Sequence, residues 1–349
     1  MRTTVGVLLD LKTYMGIAKG RTGNERIALY DRAGNKCGIK PFYMCLRYVN
    51  RKSALGYFYS NHKYKLVRKN IPRVTHNRAI TLTPYLKKKL NELSRYSYVF
   101  NRQNRYDKHL IHHLIHKNAH LRKYLPESTK YTRKQLESAM SKYTSLFIKP
   151  TNSSVGNGIM KASKQAGGAW KLHGVFSKPK LVSRKRAILL INKKVRNQSY
   201  MIQETIPLAT YKGRPYDIRV SVQRSESGQW QITGIVGKVA ARGRHVTNVA
   251  KGGQVKRCEE LFKLSGFNAA YMTEEIHQAS LAIARHLGSS LPHMADLGLD
   301  VGVDQSGVIK LIEVNGRDQR YSFRKAKMTA TFYKTYETPI KYAKFLLKK

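Results

Sequence analysis

A chain of 349 residues can bury two or three separate cores. Its 41% hydrophobic and 10% aromatic content excludes a wholly disordered polymer. Sixty-six lysines and arginines stand against 20 acidic residues, a formal net charge of +46, so the chain needs an anionic partner: nucleic acid, a phosphate-rich ligand, an acidic polymer or an acidic protein surface.

No apolar run approaches the ~18 residues of a membrane span. Cys37, Cys45 and Cys258 are scattered without a CxxC pair, which argues against a disulfide framework or zinc ribbon and favours a reducing, cytoplasmic setting. The charge is unevenly spread. Residues 151–200 hold eleven Lys or Arg and no acid, whereas residues 251–300 hold five against six.

In chain order, residues 3–10 (TTVGVLLD) predict a buried first strand and not a signal peptide, since Asp10 interrupts the apolar run. Short β-like runs follow at Gly56–Ser60 and Tyr64–Arg68, with turns at Asn61-His62-Lys63 and Asn70-Ile71-Pro72. Residues 1–100 are expected to form a small α/β domain. From Asp107 to Lys123, Leu110, Ile111, Leu114, Ile115 and Leu121 recur at helical spacing, with Asn104 or Asp107 as the N-cap. His109, His112, His113, His116 and His120 lie on the same helix. There is no HExxH glutamate, and a histidine-rich polar face accounts for them as well as zinc does. A second helix is expected over Arg133–Tyr143.

Residues 145–164 (SLFIKPTNSSVGNGIMKASK) predict two strands around a small polar loop. Gly156 and Gly158 let backbone N–H groups approach an anion, and Lys149 at the strand end can reach the same group. Neither GxxxxGK[ST] nor GxGxxG is present, and a GxG hairpin is by itself usually only a turn. Basic stretches at Ser183–Arg186 and Lys193-Lys194 are ordinarily solvated faces. Tyr200–Ile206 (YMIQETI) predicts a strand carrying Gln203 and Glu204. Asp217–Gln223 and Trp230–Ala240 predict a hairpin around Ser225–Gly228. Asp217 and Arg219 share a face there, so they either pair with each other, or Arg219 clamps a phosphate while Asp217 orients it. Residues 247–253 (TNVAKGG) form a polar loop. Thr273–His286 is expected to be an amphipathic helix capped by Thr273 and stopped near Gly288, and YAKFLLKK a closing helix.

Residues 297–315 (LGLDVGVDQSGVIKLIEVN) predict a β-hairpin. Two apolar runs, Leu297–Val303 and Val308–Val314, flank the turn residues Asp304–Gly307. If Val303 pairs with Val308, Asp300 faces Leu311 and has Glu313 as a diagonal neighbour, about 7–8 Å away along the backbone. Asn315 shares that face. Three oxygen-bearing side chains on so apolar a strand suit a hard cation such as Mg²⁺, while two solvated acids on an edge hairpin remain the plain alternative.

The order of these pieces resembles the ATP-grasp superfamily: a Lys-ended strand, a glycine hairpin, a Q-E strand, D-x-R, T-N-x-x-x-G-G and D…E-x-N. In detail FIKPTNSSVGNGI, PYDIRVSVQ, WQITGIVGKVA, TNVAKGGQV and LGLDVGVD…IEVN are similar to the endospore coat-associated YheC/YheD family. The resemblance covers about residues 100–325 and thins over residues 1–100. It implies an α/β (α+β) ATP-grasp fold in which residues 1–100 precede an ATP-grasp domain at 101–349. The lid subdomain would fall at about 145–205 and the metal-binding subdomain at about 206–349, with the nucleotide in a cleft between two α/β subdomains.

It further implies ATP bound with Mg²⁺, or Mn²⁺ in its place. Lys149 and Lys108 match phosphate-binding lysines, and Ser153, Ser154, Gly156 and Gly158 belong to the lid loop. Gln203 and Glu204 match the strand bordering adenine and ribose. Arg219 and Asn248 match positions beside the γ-phosphate and the acceptor. Asp300, Glu313 and Asn315 match the metal ligands. The chain departs from the common pattern at Asn157, where lids often carry a basic residue, and at Gly316-Arg317, where many members have Pro-Gly. Both departures bear on the acceptor site.

The implied function is a ligase that activates a carboxylate as an acyl phosphate for attack by an amine or thiol, linked to the spore coat. Such chemistry needs positioning and charge stabilisation, not a Ser-His-Asp or Cys-His nucleophile. Two rivals differ in class. One is an inactive nucleotide-binding coat component docked on acidic coat proteins. The other is a nucleic-acid binder whose Tyr57, Phe58, Tyr59 and Tyr64 stack bases, although no helix-turn-helix, RRM or zinc-finger signature supports it.

Overall fold

The computed structural model describes residues 3–153, 156–196, 198–243, 247, 249 and 252–349. The strand Thr3–Leu8 lies inside a six-stranded sheet, between Ile39–Met44 and Val74–Asn77, both parallel to it. Tyr98–Phe100 continues the parallel part, and the hairpin Ser53–Ser60/Lys63–Asn70 adds an antiparallel edge. A parallel strand is covered on both faces, which is why TTVGVL is almost unbroken in its apolarity. Asn61 and His62 both take positive φ, 49° and 60°, the mirror-image turn that suits a twisted two-residue hairpin.

A second six-stranded sheet is antiparallel throughout: Lys180–Val182, Trp170–His173, Met160–Lys164, Ser145–Pro150, Tyr200–Glu204 and Ser128–Lys130, in that spatial order. Helices Arg133–Lys142 and Arg184–Val195 supply Leu136, Met140, Ile188 and Ile191 to its core. Thr132 and Ser183 cap them by accepting from Gln135 N and Arg186 N. Arg184, Lys185, Arg186, Lys193 and Lys194 are exposed, the solvated face that composition had suggested.

The third sheet runs Gln254–Lys256, Trp230–Val239, Arg214–Arg224, Asp296–Val303, Ile309–Asn315, with Thr210–Tyr211 paired to the start of Arg214–Arg224. Its alternation decides the architecture. Ile218, Val220, Val222, Leu297, Leu299, Val301 and Val303 point to one face and pack under helices Lys108–Lys117, Cys258–Leu264 and Ala269–Ser290. Asp217, Arg219, Ser221 and Gln223, with Asp296, Gly298 and Asp300, occupy the other face and are nonetheless buried or side-chain-free. Helix Thr329–Lys348 covers one end of that polar face, and its Phe332, Tyr336 and Ile340 share a core with the first sheet. Among the described residues no helix is long and apolar enough to cross a membrane.

Three expectations need correction. The helix expected over Thr273–His286 runs from Ala269 to Ser290 and is capped by Asn268, whose side chain accepts from Tyr271 N at 3.0 Å. Thr273 instead donates to Ala269 O at 2.7 Å within the helix. Gly288 does not end it. A Cβ there would meet the Trp230 ring at 2.9 Å, so the missing side chain lets the helix lie against the sheet. The histidine-bearing helix stops at Lys117 because Asn118 takes an extended conformation (ψ 112°), and Asp107 is its cap. In the C-terminal hairpin, Val303 pairs with Ile309 and Val301 with Leu311, but a bulge then shifts the register and sets Asp300 directly opposite Glu313. Leu311 therefore faces the core, not Asp300. The extra residue at Ile312 is what brings Glu313 onto the polar face.

Candidate functional site

The polar face of the third sheet is a ladder of charges. Across neighbouring strands Arg219 pairs with Asp300 and Asp300 with Glu313, while Asp217 pairs with Lys238. Arg219 Nε lies 3.2 Å from Asp300 Oδ1, and Lys238 Nζ lies 2.7 Å from the same oxygen and 3.0 Å from Asp217 Oδ1. Asp217 and Arg219 thus do not pair with each other: each finds its ion-pair partner on an adjacent strand. Gly298 is bare for a reason, since a Cβ would meet Arg219 Nη1 at 2.4 Å and Asp318 Oδ1 at 2.6 Å.

Burial would raise the Asp300 carboxyl, but Arg219 and Lys238 beside it hold it below the usual range. Asp217 is pushed up to about 6 by burial, against the pull of Lys238 and the Thr247 hydroxyl that donates to it.

The opposite wall comes from the second sheet and the Asp107-capped helix. Lys149, next to the end of its strand and half-buried, donates to Gln203 Oε1 on the neighbouring strand. Burial pushes its ammonium down to about 8, with Glu313 opposing and Lys108 adding to the shift. Lys108, the first residue of its helix, donates to Ser153 O at 2.7 Å and lies 3.1 Å from Glu313 Oε1. It therefore ties the glycine loop to the hairpin. Asn315 Nδ2 donates to Gly298 O at 3.3 Å and Asp300 Oδ2 at 3.4 Å.

One cleft of about 400 Å³ is lined by Lys108, Lys149, Gly156, Gln203, Glu204, Arg219, Asp300, Glu313 and Asn315. These are nine of the thirteen positions singled out from the sequence. Apolar Phe147, Ile159, Ile206, Leu208 and Ile312 line the same cleft. Of the other four, Ser153 contributes its carbonyl to Lys108. Gly158 (φ 75°) packs where a Cβ would meet Pro150 at 2.9 Å, so it serves the turn. Ser154 and Asn248 lie outside the described residues, although Thr247 and Val249 on either side of Asn248 line the cleft. Glu204 also anchors the wall, accepting from Glu127 N at 2.9 Å.

Sequence reasoning missed Lys238. The one signal for it was a lone lysine in the otherwise uncharged strand Trp230–Val239. It also missed Tyr321 and Lys325, which line the cleft from beyond the hairpin.

The donor set suits a divalent cation bound with a polyphosphate. Two carboxylates directly opposite in register and an amide offer hard oxygens. Five cations (Lys108, Lys149, Arg219, Lys238, Lys325) and four carboxylates (Glu204, Asp217, Asp300, Glu313) line the cleft, a net positive balance that suits a polyanion. No group of three or more His, Cys, Asp or Glu that could hold a metal occurs among the described residues.

Two facing α/β walls, a glycine loop and this charged strand ladder define an ATP-grasp protein, and solved ATP-grasp structures share the fold. D-alanyl-alanine synthetase A from Vibrio cholerae is 12% identical, with a TM-score of 0.56 over 100% of this chain and 97% of that one. The ATP-grasp ligase PsnB, solved with a phosphomimetic precursor variant, Mg and ADP, is 11% identical, with a TM-score of 0.55 over 96% of this chain and 99% of that one. The chain belongs to the YheC/D-like ATP-grasp family, whose model matches residues 97–346. The endospore coat-associated protein YheD of Bacillus subtilis is 24% identical over 339 residues, covering 93% of this chain and 74% of that protein.

Proposed function

We propose that the chain is a Mg·ATP-dependent ligase that joins a carboxylate to an amine or thiol. The observation that carries this is the direct opposition of Asp300 and Glu313 in a cleft whose other walls present Lys108, Lys149, Arg219 and Lys238. Asp300, Glu313 and Asn315 would hold the metal, which when bound neutralises and orients the phosphates. Lys149 and Lys108 bind the phosphates beneath the glycine loop, and Gln203 and Glu204 border the base and ribose. Lys238 and Thr247 hold Asp217 while Arg219, fixed by Asp300, faces the transferred phosphoryl group. A carboxylate oxygen attacks the γ-phosphorus as the bond to ADP breaks. The amine or thiol then attacks the acyl carbon, losing a proton, and inorganic phosphate departs.

In this reading residues 1–100 form the preceding domain and residues 101–349 the catalytic unit. The tie to the spore coat is drawn from the name of the relative YheD. A melting curve at millimolar Mg·ATP tests the reading: an upward shift of several degrees is expected, and an unchanged curve would count decisively against it.

The depressed ammonium of Lys149 sets a pH dependence. A phosphate beside it favours the charged form, so nucleotide binding takes up a proton wherever free Lys149 is neutral. Affinity for Mg·ADP should be full below pH 8 and fall above it, by up to about tenfold per pH unit. Lys149→Arg should flatten the profile between pH 7.5 and 9.5. Calorimetry across that range reads it, and a flat profile in the native chain would detach Lys149 from the phosphates.

A further inference from the structure

One buried acid on the polar side of the third sheet has no part in the site described so far. Asp318 stands just beyond the C-terminal hairpin and is 0% exposed. It lies over Gly298, where a Cβ would meet Asp318 Oδ1 at 2.6 Å and Arg219 Nη1 at 2.4 Å, so the bare glycine keeps open the space in which those two groups face each other. They face each other at 3.8 Å, too far for a hydrogen bond. Neither Asp318 oxygen receives a hydrogen bond of good geometry from the described residues, and Arg219 Nε and Nη1 are buried without one as well. Burial pushes the Asp318 carboxyl up, against the pull of Arg219 and of the nearby Ser221 hydroxyl.

The other buried cations are engaged elsewhere. Arg320 lies 2.6 Å and Arg78 3.4 Å from Asp296, and Glu25 pairs with the same two arginines at 3.6 Å and 3.1 Å. Arg78 also donates to the main-chain oxygen of Asp318 at 2.9 Å, which fixes the backbone beneath the carboxylate. Lys238 is divided between Asp217 and Asp300, and Arg219 is drawn to Asp300. Two cations, Arg219 and Lys238, thus serve three buried acids, Asp217, Asp300 and Asp318. A buried carboxylate without its own cation is costly. With Asp300 and Glu313 given to a divalent ion the count becomes even: Lys238 keeps Asp217, and Arg219 has Asp318. A contraction of about 1 Å would bring Nη1 within charge-assisted hydrogen-bond distance.

We propose that Asp318 is a positioning residue, which takes Arg219 over from Asp300 when the hairpin carboxylates hold a divalent ion and so fixes the guanidinium toward the γ-phosphate. The proposal rests on the ligase reading for what Arg219 faces. The exchange of partners needs only a divalent ion on Asp300.

Asp318→Asn in the full chain keeps the shape and removes the charge. Without metal the variant should melt at or above the native temperature, because no hydrogen bond of the carboxylate is lost. Mn²⁺ titration followed by electron paramagnetic resonance should give binding about tenfold weaker in Asp318→Asn, since an ion that captures Asp300 then leaves Arg219 with no receiver. Calorimetry with Mg·ADP and with the non-hydrolysable imido analogue of Mg·ATP should show a preference for the analogue in the native chain that falls about tenfold in the variant. With EDTA in place of Mg²⁺ the two chains should bind the analogue alike. A metal-free variant that melts below the native chain, an equal loss for both nucleotides, or a loss that persists in EDTA would make Asp318 merely structural and overturn the proposal. So would an unchanged Mn²⁺ affinity, or no Mn²⁺ binding by the native chain. Weakened Mn²⁺ binding in the variant supports the exchange even where neither nucleotide binds the native chain, a failure that would count against the ligase reading alone.

Discussion

Glu313→Ala is expected to abolish the thermal stabilisation that Mg·ATP confers on the native chain. Glu313 supplies one of two opposed carboxylates, and its side chain is one-third exposed (33%), paired with Lys108 across the cleft. Loss of so exposed a pair costs only about 0–1 kcal/mol in the free protein, so the variant should fold. Ligand at a hundredfold excess over its dissociation constant stabilises a protein by about 2.7 kcal/mol. Removing one partner of a desolvated charge contact weakens binding by about 2–5 kcal/mol, enough to remove nearly all of that shift. Glu313→Gln keeps one oxygen donor and should retain part of it. A full shift in Glu313→Ala would refute the assignment of the hairpin as the metal site.

Asp296→Ala should be the most destabilising single change in the polar interior. Asp296 is fully buried and accepts from Arg320 at 2.6 Å and from Gln223 at 3.0 Å, with Arg78 and His76 beside it. Truncation leaves two arginines buried among too few acids, at a cost of about 3–5 kcal/mol in urea or thermal unfolding. Burial would raise the Asp296 carboxyl, but Arg320, His76 and Arg78 hold it far below the usual range. Its stabilisation is therefore complete above the unfolded carboxyl value of about 4 and is lost as pH falls below it. The acid limb of the stability curve should be shallower in the variant. A loss below 1 kcal/mol, or an unchanged acid limb, would mean that Asp296 does not hold the arginines in place.

The two variants probe features of unequal visibility in the sequence. The apolar runs of the hairpin and the placing of Asp300, Glu313 and Asn315 on one face were legible, whereas the seating of Leu297, Leu299, Val301 and Val303 in the core came from the structure. The turn at Asp304–Gly307 was visible too, because Asp304 and Gly307 carry its chemistry locally: the Asp304 carboxylate accepts from Ser306 N and Val308 N, each at 2.9 Å. The bulge at Ile312 was not legible, since nothing in VIKLIEV marks where a ladder slips. Lys238 was hidden for a related reason. Its importance comes from pairing with Asp217, and that register belongs to two strands at once.

Asp296, Arg78, Arg320 and Glu25 join three distant parts of the chain in one buried cluster, and individually each looks like any surface charge. The same holds for Asp318, which meets Arg219 only through the fold.

By itself, then, the sequence determined what depends on near neighbours: the strands and their faces, the capped helices, the glycine turns and the ordered motifs of the ATP-grasp pattern. Tertiary structure alone decided which charges share an oxygen, which carboxylate is opposed and where a buried acid goes without a hydrogen bond. Hydrogen-bonded periodicity acts over a few residues and leaves its mark in order and spacing, whereas charge compensation depends on distance in space between segments that chain order does not relate.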